Sequence, residues 1–529
     1  MEKAVLSQVR RLPSRRNPRL LEFPQRPTER LLSSYDDSVQ ILLSRLLPRS
    51  AAGIVAGAIL LLMVAGTIGV LAVDNRMYAI MAGVAVIAVG LAAVDLGLVA
   101  ALSVPATLVM ERVGGFLSVS DVVLAAATVI GLMLISWREA HELKGLVWLG
   151  VIYQAALVPT LVLNPYSANL IEWVHEGVLI IGSLIVGWVI GRRGLVRVAL
   201  GLYVFGCCGI AVVALAVALI GVAHGEGWQP VYLPYMHKNF IGDSLAAAMV
   251  ILYARPDWAG LSRRWSYLAM TVCAAGIAAS MSRQAIVSAA VGLAVVSLRP
   301  RADAGRRSRL VWFALIPATI FVVGAVIGQL RSTNHFNSTY QRLAWFGQSV
   351  DIWMHSPLFG VGLRWWYTTR FDVSFQPPNA EFEMLTSAGI VGLLAFLALF
   401  TGAAWLLVMM DPRYGTVALA VVVTRFTQGQ LDLYWVAGQA SFLWIIAGLA
   451  YGIQVRDRAL ASSVGEALEA PPIRTPIRAR SASRPTRRAR AIPRRMVQGY
   501  FPEAPDDTAD SARARRSTPS TAGSGRIVR

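Results

Sequence analysis

The chain is predicted to be an all-α polytopic membrane protein with about 12–14 transmembrane helices and one large folded extracytoplasmic loop. Three observations lead there. Of its 529 residues 56% are hydrophobic, with a mean hydropathy of +0.56, against roughly 45–50% apolar residues in soluble domains. Apolar runs recur along its length, many near the ~18–20 residues that cross a bilayer. Basic loops alternate with aromatic, near-neutral ones, as the positive-inside bias requires.

Both ends are polar and basic. Residues 1–50 carry ten Lys+Arg against five Asp+Glu, and residues 454–529 carry sixteen Arg against seven acids. Together they hold most of the net charge of +19. Basic ends beside membrane spans read as cytoplasmic anchors near anionic lipid, and no nucleic acid is needed to explain them. "SVQILLSRLLPR" (38–49) has the pattern of a short amphipathic surface helix. The first long apolar run starts near Ala51, so no signal peptide is expected. The expected plan is a basic cytoplasmic N-tail (1–50), partly disordered, and a transmembrane domain (51–453) that contains the extracytoplasmic loop (330–388). A disordered basic cytoplasmic C-tail (454–529) follows.

Candidate spans fall at 51–73, 77–93, 96–110, 120–136, 145–164, 178–191, 195–222, 240–254, 265–281, 284–298, 309–329, 389–410, 414–428 and 435–453. Asp95 interrupts the run 77–110. With the N-tail inside, alternation puts "SWREAHELKG", "GRRG", "ARPDWAGLSRR", "RPRADAGRRSR" and "DPRYG" in the cytoplasm, nearly all basic. It puts "ERVGGFLSVS", "NPYSANLIEWVHEG", "AHGEGWQPVYLPYMHKN", "SRQ", residues 330–388 and "QGQLDLYW" outside. Both termini are then cytoplasmic. Cys207, Cys208 and Cys273 lie in apolar runs and read as small hydrophobes, with neither disulfide frame nor zinc spacing. No metal or cofactor is expected.

Arg283, in "AASMSRQAIVSAAV" (278–291), sits at the outer end of a helix pair joined by almost no loop. It reads either as an interfacial arginine snorkelling to headgroups or as a placed cation, and the positive-inside bias argues against the first. The long loop 330–388 contains a helical pattern in "STYQRLAWFGQSVDIWMHS", with Leu343, Phe346, Val350 and Trp353 on one face. "PLFGVG" is a turn in which Gly360 and Gly362 allow close backbone approach. "NAEFEMLTSAG" is a second short helix leading into the span at 389, with Asn379 as its N-cap. The loop's aromatic rings suit sugar stacking, or an aromatic belt at the interface.

"SRQA", "YQRLAWFGQSVDIWMHSPLFGVG" and "PPNAEFEMLTSAGIVGLL", in this order and spacing, resemble the O-antigen ligase and polymerase family of bacterial glycan-assembly membrane proteins. The resemblance covers roughly residues 235–395 and elsewhere rests on hydropathy. It implies a bacterial plasma (inner) membrane glycosyltransferase that moves oligosaccharide from a polyprenyl-diphosphate-linked donor, outside the cytoplasm, to a glycan or lipid acceptor. Membrane lipid is the other implied partner. Ligase and polymerase are not separated by these motifs. In one place the chain departs from the pattern: Pro378 stands before Asn379 where the family commonly has the His often taken as the ligase base. Glu381, Glu383, His335 and His237 are the candidates to replace it.

Such chemistry needs cations for the departing diphosphate and a base for the acceptor hydroxyl. A guanidinium suits phosphate because it is planar, charged and bidentate. By the resemblance, Arg283 and Arg342 are the expected catalytic cations, with Glu383 and Glu381 as acid–base candidates. His237, Lys238, Asn239, Arg364, Asn379 and His335 are the expected substrate-binding residues. His237 and His335 read first as ordinary loop histidines. Asp121, Asp243 and Asp432 fall at predicted outer helix ends, to position arginines or cap helices, with capping expected of Asp243. The alternative function is a lipid-linked oligosaccharide flippase, which does not need the long loop. A scaffold with a basic recruiting tail would leave that loop unexplained.

The charge alternation generates a topology prediction. Cysteines introduced at Ser338 and Ser374 are expected to label from outside intact cells, and those at Ser308 and Ser483 only after permeabilisation. External labelling at Ser483 overturns the orientation.

Overall fold

The computed structural model describes residues 95–113, 117–300, 338–373, 375–436 and 438–469, with isolated positions between 63 and 90 and between 316 and 331. The N-tail, the spans expected at 51–73, 77–93 and 309–329, residue His335 and the tail beyond 469 lie outside the described residues or are only touched by them. The described part is almost wholly helical. Four of its helical stretches are long and apolar enough to cross a membrane: Glu139–Leu163, Ser167–Arg192, Val196–Ala223 and Ala380–Met409. The only strands described are Arg112–Val113 and Leu117–Ser118, a two-residue antiparallel hairpin.

In chain order the helices are α1 (Leu96–Ala106), α2 (Val119–Leu134), α3 (Lys144–Ala156), α4 (Val158–Leu163), α5 (Ser167–Gly177), α6 (Ser183–Arg192) and α7 (Val196–Ala223). They continue with α8 (Lys238–Ala254), α9 (Arg263–Ser280), α10 (Arg283–Leu298), α11 (Ser338–Trp353), α12 (Ala380–Met409), α13 (Pro412–Leu431) and α14 (Gln439–Glu469). Asp95, which breaks the apolar run, caps α1: its Oδ1 accepts from the Gly97 N–H at 2.7 Å and from Arg193 at 2.6 Å. Helices such as α7, α9 and α12 turn large apolar side chains outward, among them Phe205 at 78% and Trp265 at 71% exposure. Apolar surface on that scale belongs against lipid rather than water.

The packing centre is the crossing of α6 and α14. Gly187 and Gly191 on α6 meet Gly448 and Gly452 on α14. A Cβ at Gly187 would strike the Ile445 carbonyl, and one at Gly448 the Leu184 carbonyl; Gly191 and Gly452 face Leu449 and Trp188 carbonyls in the same way. Lipid supplies no hydrophobic force between helices, so close van der Waals contact across small residues must hold them.

Loop contacts gather at two ends of the described helices. At one end Arg192 meets Glu139 at 2.8 Å, Arg193 meets Asp95, Arg458 meets Glu142, and the Trp258 Nε1–H donates to the Arg413 carbonyl at 3.0 Å. At the other end the Tyr166 hydroxyl donates to the Leu363 carbonyl at 2.7 Å, and the Asn379 amide to the Gln430 carbonyl at 3.0 Å. Apart from the one made by Asp95, each of these contacts joins segments that the charge alternation groups together.

Four expectations need correction. "NPYSANLIEWVHEG", expected as an outer loop, contains α5, which runs through a π-helical turn (Val178–Gly182) into α6 as one apolar stretch. Its charges escape the hydropathy pattern because they are buried and paired. On α11 the packed face carries Trp345, Phe346, Ser349 and Ile352, while Leu343 and Val350 are 54% and 39% exposed. The reason is ring stacking: Trp345 lies 5.8 Å from Phe375 and Phe346 4.7 Å from Phe382. Asp243 is an interior residue of α8 and caps nothing; His237 caps that helix. Residues 454–469 continue α14 instead of starting the tail.

The glycine crossing yields a test. Gly448→Leu is expected to destabilise the purified protein by more than the ~1–3 kcal/mol usual for overpacked cores, read as a lower melting midpoint, because its obstacle is backbone. Gly201→Ala, where a Cβ meets nothing within 4 Å among the described residues, is the control expected to melt no lower than the native protein.

Candidate functional site

Two helices begin with a cation at the end of the bundle that holds the loop 338–379. Lys238 is the first residue of α8 and Arg283 the first of α10. Ser282 caps α10, its Oγ accepting from the Ala285 N–H at 3.4 Å. His237 caps α8, its Nδ1 accepting from the Asn239 N–H at 3.3 Å. Gly242 brings the two starts together: a Cβ there would stand 2.6 Å from the Ala285 Cβ and 2.7 Å from the Ser282 Cβ. Arg342 joins from α11, which the Phe346–Phe382 stack holds on α12.

Lys238, Arg283 and Arg342 are all half-buried and lie within electrostatic reach of one another. Burial, and after it the Arg283 and Arg342 charges, lower the Lys238 pKa, with Asp432 opposing. Asp432 is held by the Asn239 amide, whose Nδ2 donates to Oδ2 at 2.5 Å. A cation at a helix N-terminus opposes the helix dipole at a cost of about 0.3–1 kcal/mol. Here two such cations and a third like charge share one place. An anion there would meet these like charges together with the N-terminal N–H groups.

The acids come from α12. Asn379 caps it as expected, Oδ1 accepting from the Phe382 N–H at 3.0 Å. Glu383 is buried, at 3% exposure, with Oε1 held by the Gln376 amide at 2.9 Å. Glu381 accepts from the Gln430 amide. In both acids Oε2 is buried with no hydrogen-bond partner among the described residues. The helix breaks at Gly389 (φ 65°, ψ −163°), where the expected span begins. The glycine turn splices into the break: Val361 and Gly362 N–H donate to the Thr386 and Ser387 carbonyls, and Ile390 and Val391 N–H to Pro357 and Leu358 carbonyls, at 2.9–3.2 Å. Gly360 (φ +69°) and Gly389 have no room for a Cβ against those backbones.

Arg364 takes another route. It has left-handed backbone (φ 54°) and is buried, its Nε 2.5 Å from Glu172 Oε2. Glu172 also meets His175 Nδ1 at 3.1 Å, and His175 Nε2 lies 3.2 Å from Asp121 Oδ1, close as an ion pair but not aligned as a hydrogen bond. Asp121 doubles as the partner of Ser118 in a capping box. With His175 protonated on both nitrogens, two acids and two bases balance. Beside them the Tyr153 hydroxyl donates to buried Glu176 at 2.6 Å. A second buried group lies under the cations: Asp243 accepts from Gln284, the neighbour of Arg283, at 2.9 Å and faces Arg425 at 3.6 Å. Glu383 is within electrostatic reach of both groups, through Glu172 and Arg364 on one side and Arg425 on the other.

Among the expected residues, then, His237, Lys238, Asn239, Arg283 and Arg342 come together, Asn379, Glu381 and Glu383 share one helix start, Arg364 turns into the α5 network, and His335 lies outside the described residues. Glu172, His175, Glu176 and Arg425 were missed. Arg425 carried a signal: a charge inside the apolar run 414–428 is as costly as the one that drew attention to Arg283. Among the described residues no group of three His, Cys, Asp or Glu side chains is placed to hold a metal. Neither a family model nor a curated protein matches the chain.

The cap at His237 gives a pH dependence. Loss of solvent around the ring, which meets Tyr232 and Phe240, lowers its pKa; Asp432 opposes and Lys238 adds to the effect. A lowered basic group contributes stability that is full above the ordinary histidine value of about 6.5 and is lost as pH falls through the lowered one. Thermal melts of His237→Asn, whose cap does not titrate, are expected to lack the fall in midpoint that the native protein shows between neutral and mildly acidic pH. Equal falls in both proteins would remove this cap from the account.

Proposed function

We propose that the protein is an extracytoplasmic glycosyltransferase of the bacterial plasma membrane, with both termini in the cytoplasm. It transfers or polymerises oligosaccharide from a polyprenyl-diphosphate-linked donor onto a glycan or lipid acceptor, in the manner of the O-antigen ligase and polymerase family that its motifs resemble. The finer plan of about 12–14 spans and a folded outer loop belongs to this reading. One observation carries it: three cations from three helices gather at the end of the bundle predicted to face outward, two of them at helix N-termini. A diphosphate is the anion that chemistry outside the cytoplasm, without nucleotide sugars, would bring there.

In this reading the donor's lipid stays in the bilayer and its diphosphate meets Arg283, Arg342 and Lys238. As the glycosidic bond to phosphate breaks, negative charge grows on the leaving oxygens and the guanidinium forks stabilise it. The acceptor hydroxyl loses its proton to a carboxylate, Glu383 or Glu381, each steadied through one oxygen by a glutamine amide. A second reading, the flippase, draws on the buried α5 network, since charges within spans mark transport paths in many membrane proteins. It predicts movement of intact donor across vesicles with no new glycosidic bond.

The test is transfer in vesicles with lipid-linked donor. Arg283→Ala is expected to reduce the rate by about 10²–10³ while the protein inserts and purifies normally. Arg283→Lys should restore it in part, because a point charge lacks the fork. Arg342→Ala should behave alike and combine with Arg283→Ala less than additively. Glu383→Gln separates the base from the cations. Native transfer by Arg283→Ala would leave that arginine a snorkelling residue and sink the mechanism.

A further inference from the structure

Among the described residues a small polar cavity of about 20 Å³ lies where α8, α13 and α14 meet. Asp243 and Ser244 line it from α8, Thr424, Arg425 and Gln428 from α13, and Gln439 from α14. Asp243 and Arg425 are 3% and 4% exposed. Most of their hydrogen-bonding capacity is already engaged. Asp243 Oδ2 accepts from Gln284 and faces Arg425. Arg425 Nη1 donates to the Gln428 and Gln439 side-chain oxygens at 3.3 and 3.2 Å, and Nη2 to the Leu433 and Tyr434 carbonyls. Two atoms of this ion pair are left over. Asp243 Oδ1 and Arg425 Nε are buried with no hydrogen-bond partner among the described residues.

Charged groups lose more than neutral ones when an atom is buried unpaired. A polar space of about 10–15 Å³ or more holds a water molecule when two to four polar groups surround it. This cavity is wide enough for one. An ion fits it badly: a cation would meet the Arg425 guanidinium and an anion the Asp243 carboxylate. Larger solutes exceed the volume. A water satisfies both leftover atoms, accepting from the Arg425 Nε–H and donating to Asp243 Oδ1. Its second hydrogen has an acceptor in Thr424 Oγ1, whose own hydrogen is spent on the Ala420 carbonyl at 2.7 Å. About three bonds is the usual number for a buried water.

We propose that this cavity binds one water molecule, held between Asp243 of α8 and Arg425 of α13. The water extends a tie that starts beside the cations. Gln284, next to Arg283, holds the other Asp243 oxygen from α10, and Gln428 bonds the Asp243 carbonyl and the Ser288 hydroxyl, both at 3.2 Å. In this way α8, α10 and α13 are joined beneath the two cation-bearing helix starts, with the water as a replaceable member. The site does not depend on the transfer reaction.

The test is radiolytic footprinting of the full-length protein in lipid vesicles. A short X-ray pulse turns water into hydroxyl radicals, which add oxygen to aromatic rings beside them. Tyr203 and Phe442 line the cavity and stack at 4.2 Å, and both are buried, at 2% and 4% exposure. Both should gain oxygen several times faster than Phe396, which is buried elsewhere in the core. With heavy-oxygen water mixed in just before the pulse, they should gain light oxygen while exposed Tyr367 gains heavy oxygen. Ala247→Val, which adds bulk to a lining residue, should bring their rates down to that of Phe396, with thermal melts checking the fold. Rates in the native protein no higher than that of Phe396 overturn the site. Heavy oxygen reaching Tyr203 and Phe442 as promptly as Tyr367 shows bulk solvent entering and overturns a held water. Unchanged rates in folded Ala247→Val do the same.

Discussion

The contact on which the rest depends is the glycine-lined crossing of α6 and α14. In water two helices can be pressed together by apolar burial; in lipid that force is missing, and backbone proximity must take its place. Four glycines set one on another bring the main chains of these helices together. From this joint α6 leads back through the π-helical turn into α5, with its Glu172, His175 and Glu176. The start of α14 supplies Gln439, whose Oε1 accepts from Arg425 at 3.2 Å. The crossing therefore sets how far apart the two buried charge groups lie.

Those groups and the surface cations follow opposite electrostatic logics. In the α5 network Asp121, Glu172, His175 and Arg364 each have a partner of opposite sign, and removing one partner of a buried pair typically costs about 3–5 kcal/mol. Around Lys238 like charges are gathered with helix N-termini, and Asp432 opposes their effect on that lysine. The first arrangement is complete without a ligand. The second presents positive charge at two helix starts.

Much of this was legible because period and punctuation were clear. Asp95, Asn379, Gly360 and the short helix before Gly389 all lie where local chemistry puts them: a cap, a cap, a positive-φ turn, a broken ladder. The cations at 238, 283 and 342 could be picked out by type and position, although nothing in the linear chain tells that they meet; Gly242, which allows it, looks like any small residue in an apolar run. The α5 charges were misread for the opposite reason. Hydropathy treats each charged residue as a cost to be kept outside, whereas Glu172, His175, Asp121 and Arg364 cancel one another across three separate segments. Pairing of that kind is a property of the tertiary fold. The exposed face of α11 failed similarly, since ring stacking outweighed the apolar period.

The splice at Gly389 has a consequence for how this end of the molecule can change. The joint between the turn and the broken helix is written in main-chain hydrogen bonds, from Val361 and Gly362 on one side and Ile390 and Val391 on the other. Main-chain bonds are indifferent to side-chain identity provided the glycines stay. Leu358, 58% exposed, and the partly exposed Phe359 ride on the joint without building it. Replacing them would redraw the surface at the joint while leaving its main-chain bonds in place. The joint thus fixes the main chain of this end while leaving the side chains that ride on it free to differ.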